Sequence, residues 1–272
     1  MEIPEILLGT FQIKTQLQMD EVVEAAISAK VRGFDTAPSY GTEKMLGNSL
    51  SVAIADGRIQ REEIFIQDKI DAVQMYNCAS EGLHKFVYEQ TKKLSLSYID
   101  ALLIHWPFER YIKCTWDEMI ALKNEGVVKH LGICNLDKRG FHELYENNGL
   151  SEIEIIQNEI SPMNVDEENT FFFQNKGLLM EAYSPFCRMN HNITDNKDIV
   201  NIANKYGVDI GRVILQWHIE RGIHPIFASQ KRDRIISNAN LTFKLSENEI
   251  ELISGINQDY KIFPISHGCP GY

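Results

Sequence analysis

Short runs rich in β-forming residues alternate along the chain with amphipathic stretches of about 10 to 15 residues, and this alternation restricts the fold more than any other feature. The runs share a compact apolar pattern bounded by polar or turn residues. They are ILLGT (6–10), GFDTA (33–37), IFIQDKI (64–70), IDALLIH (99–105), HLGICN (130–135), EIIQNEI (154–160), LLMEAYS (178–184) and PIFAS (225–229). Because parallel strands need long crossover connections, this order predicts a parallel sheet with a helix after each strand.

The segments between these runs have helical periodicity. They lie at 20–31, 43–55, 80–94, 115–125, 137–147, 166–175, 196–206, 233–239 and 246–255. Such repeated strand and helix units in 272 residues predict a (β/α)8 TIM barrel, which usually takes about 250 residues. A doubly wound open sheet is the competing fold, but it usually has a glycine-rich loop after its first strand, and LLGTFQIKTQ contains no GxGxxG motif. No Pro-, Gly- or Ser-rich linker interrupts the series, so we expect one domain over residues 1–272.

Cysteine usage and the N-terminal sequence indicate the cellular setting. The cysteines are odd in number and form no CxxC pair, which predicts neither a disulfide framework nor a zinc site. They are Cys78, Cys114, Cys134, Cys187 and Cys269. The segment MEIPEILLGT lacks a basic region before a long apolar run, and no stretch approaches the roughly 18 apolar residues that span a bilayer. We therefore expect a cytoplasmic protein that is neither secreted nor membrane-spanning.

The charge of the chain bears on its partners. With 44% hydrophobic and 24% charged residues, the composition is that of an ordinary globular protein. A formal net charge of -11 would repel a phosphate backbone, which argues against nucleic acid as a partner. Only the local sequence KRDR at 231–234 could favour a phosphate group. We expect a monomer with a small-molecule partner.

Polar residues stand where the predicted strands end. In a TIM barrel the carboxyl ends of all strands meet at one mouth, which is where the active site lies. We therefore expect these residues to share one site: Asp35, Lys69, His105, Asn135, Gln157, Tyr183 and Ser229.

Asp35 and Lys69 end two apolar strands, and a buried charge needs an opposite partner. One interpretation is a structural ion pair that closes the barrel mouth. The other adds Tyr40, five residues after Asp35, whose pKa a nearby ammonium would lower, making the phenol a usable proton donor. In that interpretation the acid holds the lysine in place.

His105 ends the run ALLIHWP. A histidine at a strand end is commonly a hydrogen-bonded core residue. Alternatively, a neutral imidazole N–H beside a tyrosine could orient and polarise a carbonyl oxygen, with Trp106 forming an aromatic wall. Donors that converge on one oxygen would suit the reduction of a carbonyl group.

The stretch GFDTAPSYGTEKMLG (33–47) resembles the signature of the aldo-keto reductase family, in which a strand-end Asp is followed five residues later by Tyr. Further segments are similar to family motifs in the same order. They are GTF (9–11), DKI (68–70), IDALLIHWP (99–107), VVKHLGICN (127–135), QNEISP (157–162), AYSPF (182–186) and DRIISNANLTFKLSENEI (233–250). The resemblance covers nearly the whole chain and is closest to the short-loop bacterial branch that includes diketogluconate reductases.

This resemblance implies an NADPH-dependent enzyme that reduces an aldehyde or ketone to an alcohol. Asp35, Tyr40, Lys69 and His105 match the catalytic tetrad: Tyr40 would protonate the carbonyl oxygen, Lys69 and Asp35 would lower its pKa, and His105 would fix the oxygen. The hydride would come from the nicotinamide. The remaining matches are Asn135 and Gln157 for the carboxamide, Tyr183 for the ring face, Ser184, Ser229, Arg234 and Asn238 for the phosphates and adenine, and Phe11 and Trp106 for the substrate pocket.

Two residues depart from the family pattern at the cofactor positions. Cys134 stands where a serine usually precedes the carboxamide-binding asparagine, so one hydrogen bond should be weaker. Ala228 stands where a lysine usually pairs with the 2′-phosphate of NADP. Lys231 and Arg232 could replace that lysine, or KRDR could be a solvated turn. We predict that NADP(H) is preferred by less than is usual, with NAD(H) also accepted.

Both ends of the chain and one loop also differ from the family pattern. The N-terminus begins almost directly on the first strand and leaves little room for the hairpin that usually closes the barrel floor. The loop FERYIKC after Pro107 and the tail FPISHGCPGY (263–272) are short. We expect an open pocket that accepts small polar carbonyls.

Three alternatives to a carbonyl reductase differ in the residues that they require. A cofactor-binding regulatory or scaffold protein of the same fold would have little turnover, but the intact tetrad favours an enzyme. A metal-dependent hydrolase would need several His, Asp or Glu ligands at strand ends, where only Asp35 and His105 stand, with Lys69 between them. No metal is therefore expected. A C=C reductase of the family would have glutamate in place of His105.

Overall fold

The computed structural model describes residues 2–146 and 148–264, in which eight parallel strands close into a barrel in the order of the sequence. The strands are β1 (Leu7–Gly9), β2 (Gly33–Asp35), β3 (Phe65–Ile70), β4 (Ile99–Ile104), β5 (Val128–Cys134), β6 (Ile155–Glu159), β7 (Leu179–Tyr183) and β8 (Ile223–Phe227). β1 pairs with both β2 and β8, which closes the sheet. The predicted (β/α)8 barrel is confirmed.

Helices connect the strands and cover the outside of the barrel. The α-helices are α1 (Gln16–Ser28), α2 (Glu43–Ala55), α3 (Ala72–Glu81), α4 (His84–Lys93), α5 (Glu109–Asn124), α6 (Lys138–Phe141), α7 (Glu167–Asn175), α8 (His191–Thr194), α9 (Lys197–Tyr206), α10 (Ile210–Glu220), α11 (Arg232–Ala239) and α12 (Glu247–Ser254). A π-helical turn, His142–Glu146, follows α6. No helix within the described residues is long and apolar enough to cross a membrane.

The structure differs from the sequence-based expectations at three places. The helix predicted at 80–94 is the end of α3 and all of α4, because Gly82 has a positive φ of 71° that breaks the run. The loop expected after Pro107 is shorter still, since α5 already begins at Glu109. Helix α10 was not predicted, because residues on all its sides are buried and it lacks the polar face that marks a surface helix.

Parts of three expectations lie outside the described residues. They are the last residue of the helix predicted at 137–147, the tail beyond residue 264, and Cys269. The other four cysteines are free thiols.

The barrel interior is apolar at its floor and polar towards its mouth, the end where the strands reach their C-termini. The floor cluster includes Leu7, Phe65 and Ile155, the first residues of their strands, with Ile3 packed against it. Residues 2–6 form no strand, and the carbonyl of Pro4 accepts a 2.8 Å hydrogen bond from His224 Nδ1. Because side chains on a strand alternate between its faces, every second residue beyond the floor also points inward and brings polar groups towards the mouth.

Candidate active site

A buried ion pair joins the ends of β2 and β3. Lys69 Nζ lies 2.5 Å from Asp35 Oδ1 and also donates to the carbonyl of Thr36 at 3.0 Å. The side chains of Lys69 and Asp35 are 0% and 5% exposed. Burial alone lowers the pKa of Lys69, but attraction to Asp35 outweighs it and raises that pKa above its usual value. The lysine is therefore a fixed positive charge inside the mouth.

Tyr40 stands beside this charge on a short 3-10 turn, Pro38–Tyr40, that follows β2. Gly41 ends the turn with a φ of 68°, a conformation that glycine adopts without steric cost. Lys69 Nζ lies 5.2 Å from the centre of the Tyr40 ring, and the centre of the half-exposed Phe11 ring lies 5.1 Å from it. The turn after β2 thus brings the phenol to the place where the sequence predicted it.

The expected direction of the Tyr40 pKa was wrong. Burial raises the pKa of Tyr40 above its usual value, and the positive charge of Lys69 offsets only part of this effect while Asp35 adds to it. The phenol therefore stays protonated at neutral pH, which is the form that donates. Lys69 instead reduces the free energy needed to leave a phenolate behind after the proton has gone.

His105 completes the group from the end of β4. Its ring lies edge-on to Tyr40 with 5.7 Å between ring centres, and it stacks on Trp106 at 6.4 Å. His105 Nδ1 is 2.5 Å from Asp71 Oδ1. Lys69 and His105 therefore meet at one end of the barrel, as the strand-end pattern predicted, and Tyr40 lies beside them.

Three polar residues of the site were missed from the sequence. Gln67 and Glu181 lie below Asp35 inside the barrel, and Gln67 Nε2 donates to Asp35 Oδ1 at 3.0 Å and to Glu181 Oε2 at 2.7 Å. Burial raises the pKa of Glu181 to about 7. The third is Asp71, the residue that follows β3. For two of these residues the sequence contained a usable signal. A spacing of two residues puts Gln67 on the same face of its strand as Lys69, and Glu181 on the same face as Tyr183.

The residues matched to a nicotinamide carboxamide lie together at the ends of β5, β6 and β7. Asn135 Nδ2 donates to the carbonyl of His105 at 2.9 Å, and Asn135 Oδ1 accepts from the Tyr183 hydroxyl at 2.6 Å. Gln157 Nε2 donates to Glu181 at 3.0 Å, while the donor to its Oε1 among the described residues is the weak thiol of Cys134 at 3.6 Å. Within residues 2–146 and 148–264, one amide N–H of Asn135 and the oxygen of Gln157 therefore have no strong partner, and this donor and acceptor fit a carboxamide.

The residues matched to the rest of a dinucleotide follow β7 and β8. Ser184, just after β7, has a φ of 51°, and Ser229 Oγ accepts from the Lys231 N–H at 3.1 Å. Asn238 on α11 is only 6% exposed, so little of it is accessible.

The sequence KRDR forms the start of α11, not a free turn. Lys231 is the residue before the helix, and Arg232 and Arg234 lie in its first turn. All three cations are exposed, and none forms a salt bridge with a residue in the described part of the chain. Ala228, three residues before Lys231 in the sequence, is also exposed. A helix start with unpaired cations suits a phosphate group.

The arrangement supplies a proton donor, a fixed cation and an imidazole at one mouth of the barrel. Beside them lie the polar side chains of Asn135, Gln157 and Tyr183, which we call the polar cradle. The described residues contain no group of three or more His, Cys, Asp or Glu side chains placed to hold a metal ion. The chemistry that these side chains support is protonation and charge stabilisation at an oxygen atom.

Comparison with known proteins agrees with this geometry. The model of the aldo/keto reductase family matches residues 5–258. The chain is 32% identical over 268 residues to the uncharacterized oxidoreductase YtbE of Bacillus subtilis, covering 97% of this chain and 92% of that protein. It is 30% identical over 266 residues to the glyoxal reductase of the same organism, with the same coverage.

A further relative and a solved structure are also similar to the chain. The chain is 28% identical to the methylglyoxal reductase DkgA of Escherichia coli, over 96% of this chain and 92% of that protein. It superposes on a Bombyx mori aldo-keto reductase in complex with NADP with a TM-score of 0.86 and 29% identity, covering 97% of this chain and 92% of that one. The resemblance inferred from the motifs is confirmed, and the chain belongs to the aldo/keto reductase family.

Proposed function

We propose that the chain reduces a small aldehyde or ketone to an alcohol with NADPH, and that Tyr40 donates the proton to the carbonyl oxygen. The observation that carries this assignment is the meeting of Tyr40 with the buried Lys69–Asp35 pair and with His105 at the barrel mouth. When bound, NADPH supplies the hydride for the carbonyl carbon.

Each member of the tetrad has a distinct role in this proposal. Tyr40 holds a proton on its hydroxyl until the carbonyl oxygen gains negative charge. Lys69 stabilises the phenolate that remains, and Asp35 holds Lys69 in place through the 2.5 Å contact. His105 hydrogen-bonds the carbonyl oxygen and so orients it towards Tyr40. Positioning and charge are what the protein contributes to such a reaction.

The polar cradle beside the tetrad would bind the cofactor. Asn135 and Gln157 would hold the carboxamide with the amide N–H and the oxygen that the protein leaves free. The Tyr183 ring, fixed through its hydroxyl, would support the nicotinamide face. Ser184 and Ser229 would contact the phosphates, Arg234 the adenosine phosphate, and Asn238 the adenine.

The substrate is proposed to be small and polar. Phe11 and Trp106 would form aromatic walls, and Phe11 is 46% exposed, which leaves the mouth open on that side. The names of the relatives, glyoxal reductase and methylglyoxal reductase, point to short dicarbonyl compounds. We also propose that the chain acts as a single-domain monomer in the cytoplasm and, with a net charge of -11, does not bind nucleic acid.

Steady-state oxidation of NADPH with a panel of short aldehydes, dicarbonyls and bulky ketones tests the proposal. We expect many turnovers per enzyme molecule and higher kcat/KM for the short polar substrates. A regulatory or scaffold protein would bind NADPH and oxidise it no more than once. Strong preference for bulky ketones would contradict the proposed substrate class.

A lysine at position 228 should strengthen the choice of NADPH. Ala228 is exposed and precedes Lys231, Arg232 and Arg234 by three to six residues, so a new ammonium there would add a charge-assisted hydrogen bond to a 2′-phosphate. Such a bond contributes about 1.5–3 kcal/mol, so Ala228→Lys should bind NADPH about ten- to a hundredfold more tightly. NADH, which lacks the phosphate, is the internal control and should bind unchanged in the same fluorescence titration.

The titration of the unmodified protein tests the cofactor preference itself. We expect NADPH to bind more tightly than NADH, because three exposed cations remain at the start of α11. Equal affinities would show that these cations do not reach the phosphate.

A further inference from the structure

Asp71 connects the end of β4 to the turn after β2. Its Oδ1 lies 2.5 Å from His105 Nδ1, and its Oδ2 accepts a 2.8 Å hydrogen bond from the Ser39 N–H. The strand register explains the contact, because Ile70 pairs with Ile104 and the next residue of each strand leaves the barrel beside the other. The side chains of Asp71 and His105 are only 17% and 16% exposed.

The contact with Asp71 determines which nitrogen of His105 carries a proton. Burial acts to raise the pKa of Asp71, but the hydrogen bonds from His105 and Ser39 outweigh it and lower that pKa. Asp71 is therefore ionised at neutral pH and can only accept hydrogen bonds, so His105 Nδ1 must be the donor. A neutral imidazole has one N–H, and its Nε2 is then a bare acceptor.

Like the carboxylate of Asp71, a carbonyl oxygen can only accept hydrogen bonds. An Nε2 without a proton therefore cannot hydrogen-bond to it. Nε2 of His105 hydrogen-bonds to no residue in 2–146 or 148–264, and the ring lies beside Tyr40. Only the imidazolium form has an N–H on both nitrogens, one for Asp71 and one for the substrate.

We propose that Asp71 is a positioning residue that keeps the proton of neutral His105 on Nδ1, so that His105 hydrogen-bonds a carbonyl oxygen only in its protonated form. The proposal rests on the proposed function for the role of the substrate oxygen, but the tautomer of His105 is a property of the protein alone. This proposal differs from the expectation drawn from the sequence, in which a neutral His105 donates its N–H to the carbonyl oxygen.

The charged and titratable groups around His105 come from three elements. Asp71, just before α3, places a negative charge against His105 Nδ1, and Lys69 on β3 places a positive charge 5.2 Å from the centre of the Tyr40 ring. Lys69 is already neutralised by Asp35, and Tyr40 after β2 stays protonated. On the β5 side the neutral Asn135 amide donates to the backbone carbonyl of His105.

An asparagine at position 71 should reverse the tautomer without disturbing the fold. Asparagine is as good a helix N-cap as aspartate, and Asp71 is the N-cap of α3. The Ser39 N–H can only donate, so the amide oxygen of the new side chain must face it. The amide N–H2 then faces His105 Nδ1, which becomes an acceptor, and neutral His105 carries its proton on Nε2.

Nitrogen-15 NMR of the imidazole side chains tests the tautomer directly. In the full-length protein at a pH where His105 is neutral, we expect Nδ1 protonated and Nε2 bare, and the reverse in Asp71→Asn. The His105 signals are assigned from their loss in His105→Gln, since the chain has eight histidines. A protonated Nε2 on neutral His105 in the unmodified protein overturns the proposal, whether or not the variant folds.

The pH profile of carbonyl reduction tests the consequence for catalysis. For the unmodified protein, kcat/KM should fall as the pH rises, because only the imidazolium form of His105 has an N–H for the substrate oxygen. In Asp71→Asn this decline should disappear, because neutral His105 can now donate from Nε2. Identical profiles for the two proteins contradict the proposal. Absence of turnover in the unmodified protein would count against the proposed function instead, and the NMR result would still stand.

A second His–carboxylate pair provides a matched control. His84 Nδ1 lies 2.5 Å from Glu118 Oε2, between α4 and α5 and outside the tetrad. We expect Glu118→Gln to change the imidazole signals of His84 only. The pH profile and the signals of His105 should match those of the unmodified protein.

Discussion

Replacing Tyr40 by phenylalanine should lower kcat for aldehyde reduction by about a hundred- to ten-thousandfold, the contribution that a positioned general acid makes. The substitution removes only the hydroxyl and keeps the ring that packs against Phe11 and His105. NADPH binding, measured by fluorescence titration, should change little, because the residues proposed to hold the carboxamide are Asn135 and Gln157. The loss should therefore appear in kcat while the cofactor Kd stays close to that of the unmodified protein.

Tyr76→Phe is the matched control for this variant. Tyr76 is 66% exposed on α3 and packs edge-on against Tyr111, a contact that needs only the ring. We expect the control to retain full activity. Substantial turnover by Tyr40→Phe would mean that another group, or water, protonates the oxygen.

Replacing Lys69 by methionine should both unfold the protein more easily and reduce kcat. The change leaves the Asp35 carboxylate buried, 5% exposed, without its cation. Removing one partner of a buried ion pair typically costs about 3–5 kcal/mol, so the denaturant midpoint should fall clearly. Turnover should fall as well, because burial already raises the pKa of Tyr40 and Lys69 is what counteracts it.

The double variant Asp35→Asn/Lys69→Met separates stability from catalysis. Gln67 and Gln157 both donate to Asp35 Oδ1, and the oxygen of an asparagine amide at that position could still accept these hydrogen bonds. We therefore expect the double variant to recover most of the free energy of unfolding and none of the activity. Lys113→Met, which breaks an exposed pair with Asp117, should leave both unchanged. Recovery of activity in the double variant would favour a merely structural ion pair.

The barrel and the meeting of Asp35, Lys69 and His105 at its mouth could be predicted because their signals are local. Strands buried on both faces are near-continuous apolar runs, and the polar residue that ends each run must lie at the mouth. Helix α10 could not be recognised in the same way, since its buried residues are distributed around the helix.

The network around the tetrad could not be predicted because it depends on contacts between distant strands. Gln67 meets Glu181 only once the barrel closes, and Asp71 meets His105 only through the register of β3 and β4. Burial also raises the pKa of Tyr40, whereas the spacing of the charged residues in the sequence had predicted that this pKa is lowered.

Transfer of deuterium from labelled NADPH to the product tests the central claim most directly. The enzyme would be given NADPH deuterated at the transferring position of the nicotinamide, with glyoxal or methylglyoxal in ordinary water, and the products would be analysed by mass spectrometry. We predict an alcohol with one deuterium on its carbinol carbon for each NADPH consumed over many turnovers. Alcohol without deuterium, or no alcohol beyond a single turnover, would contradict the assignment of this chain as a carbonyl reductase.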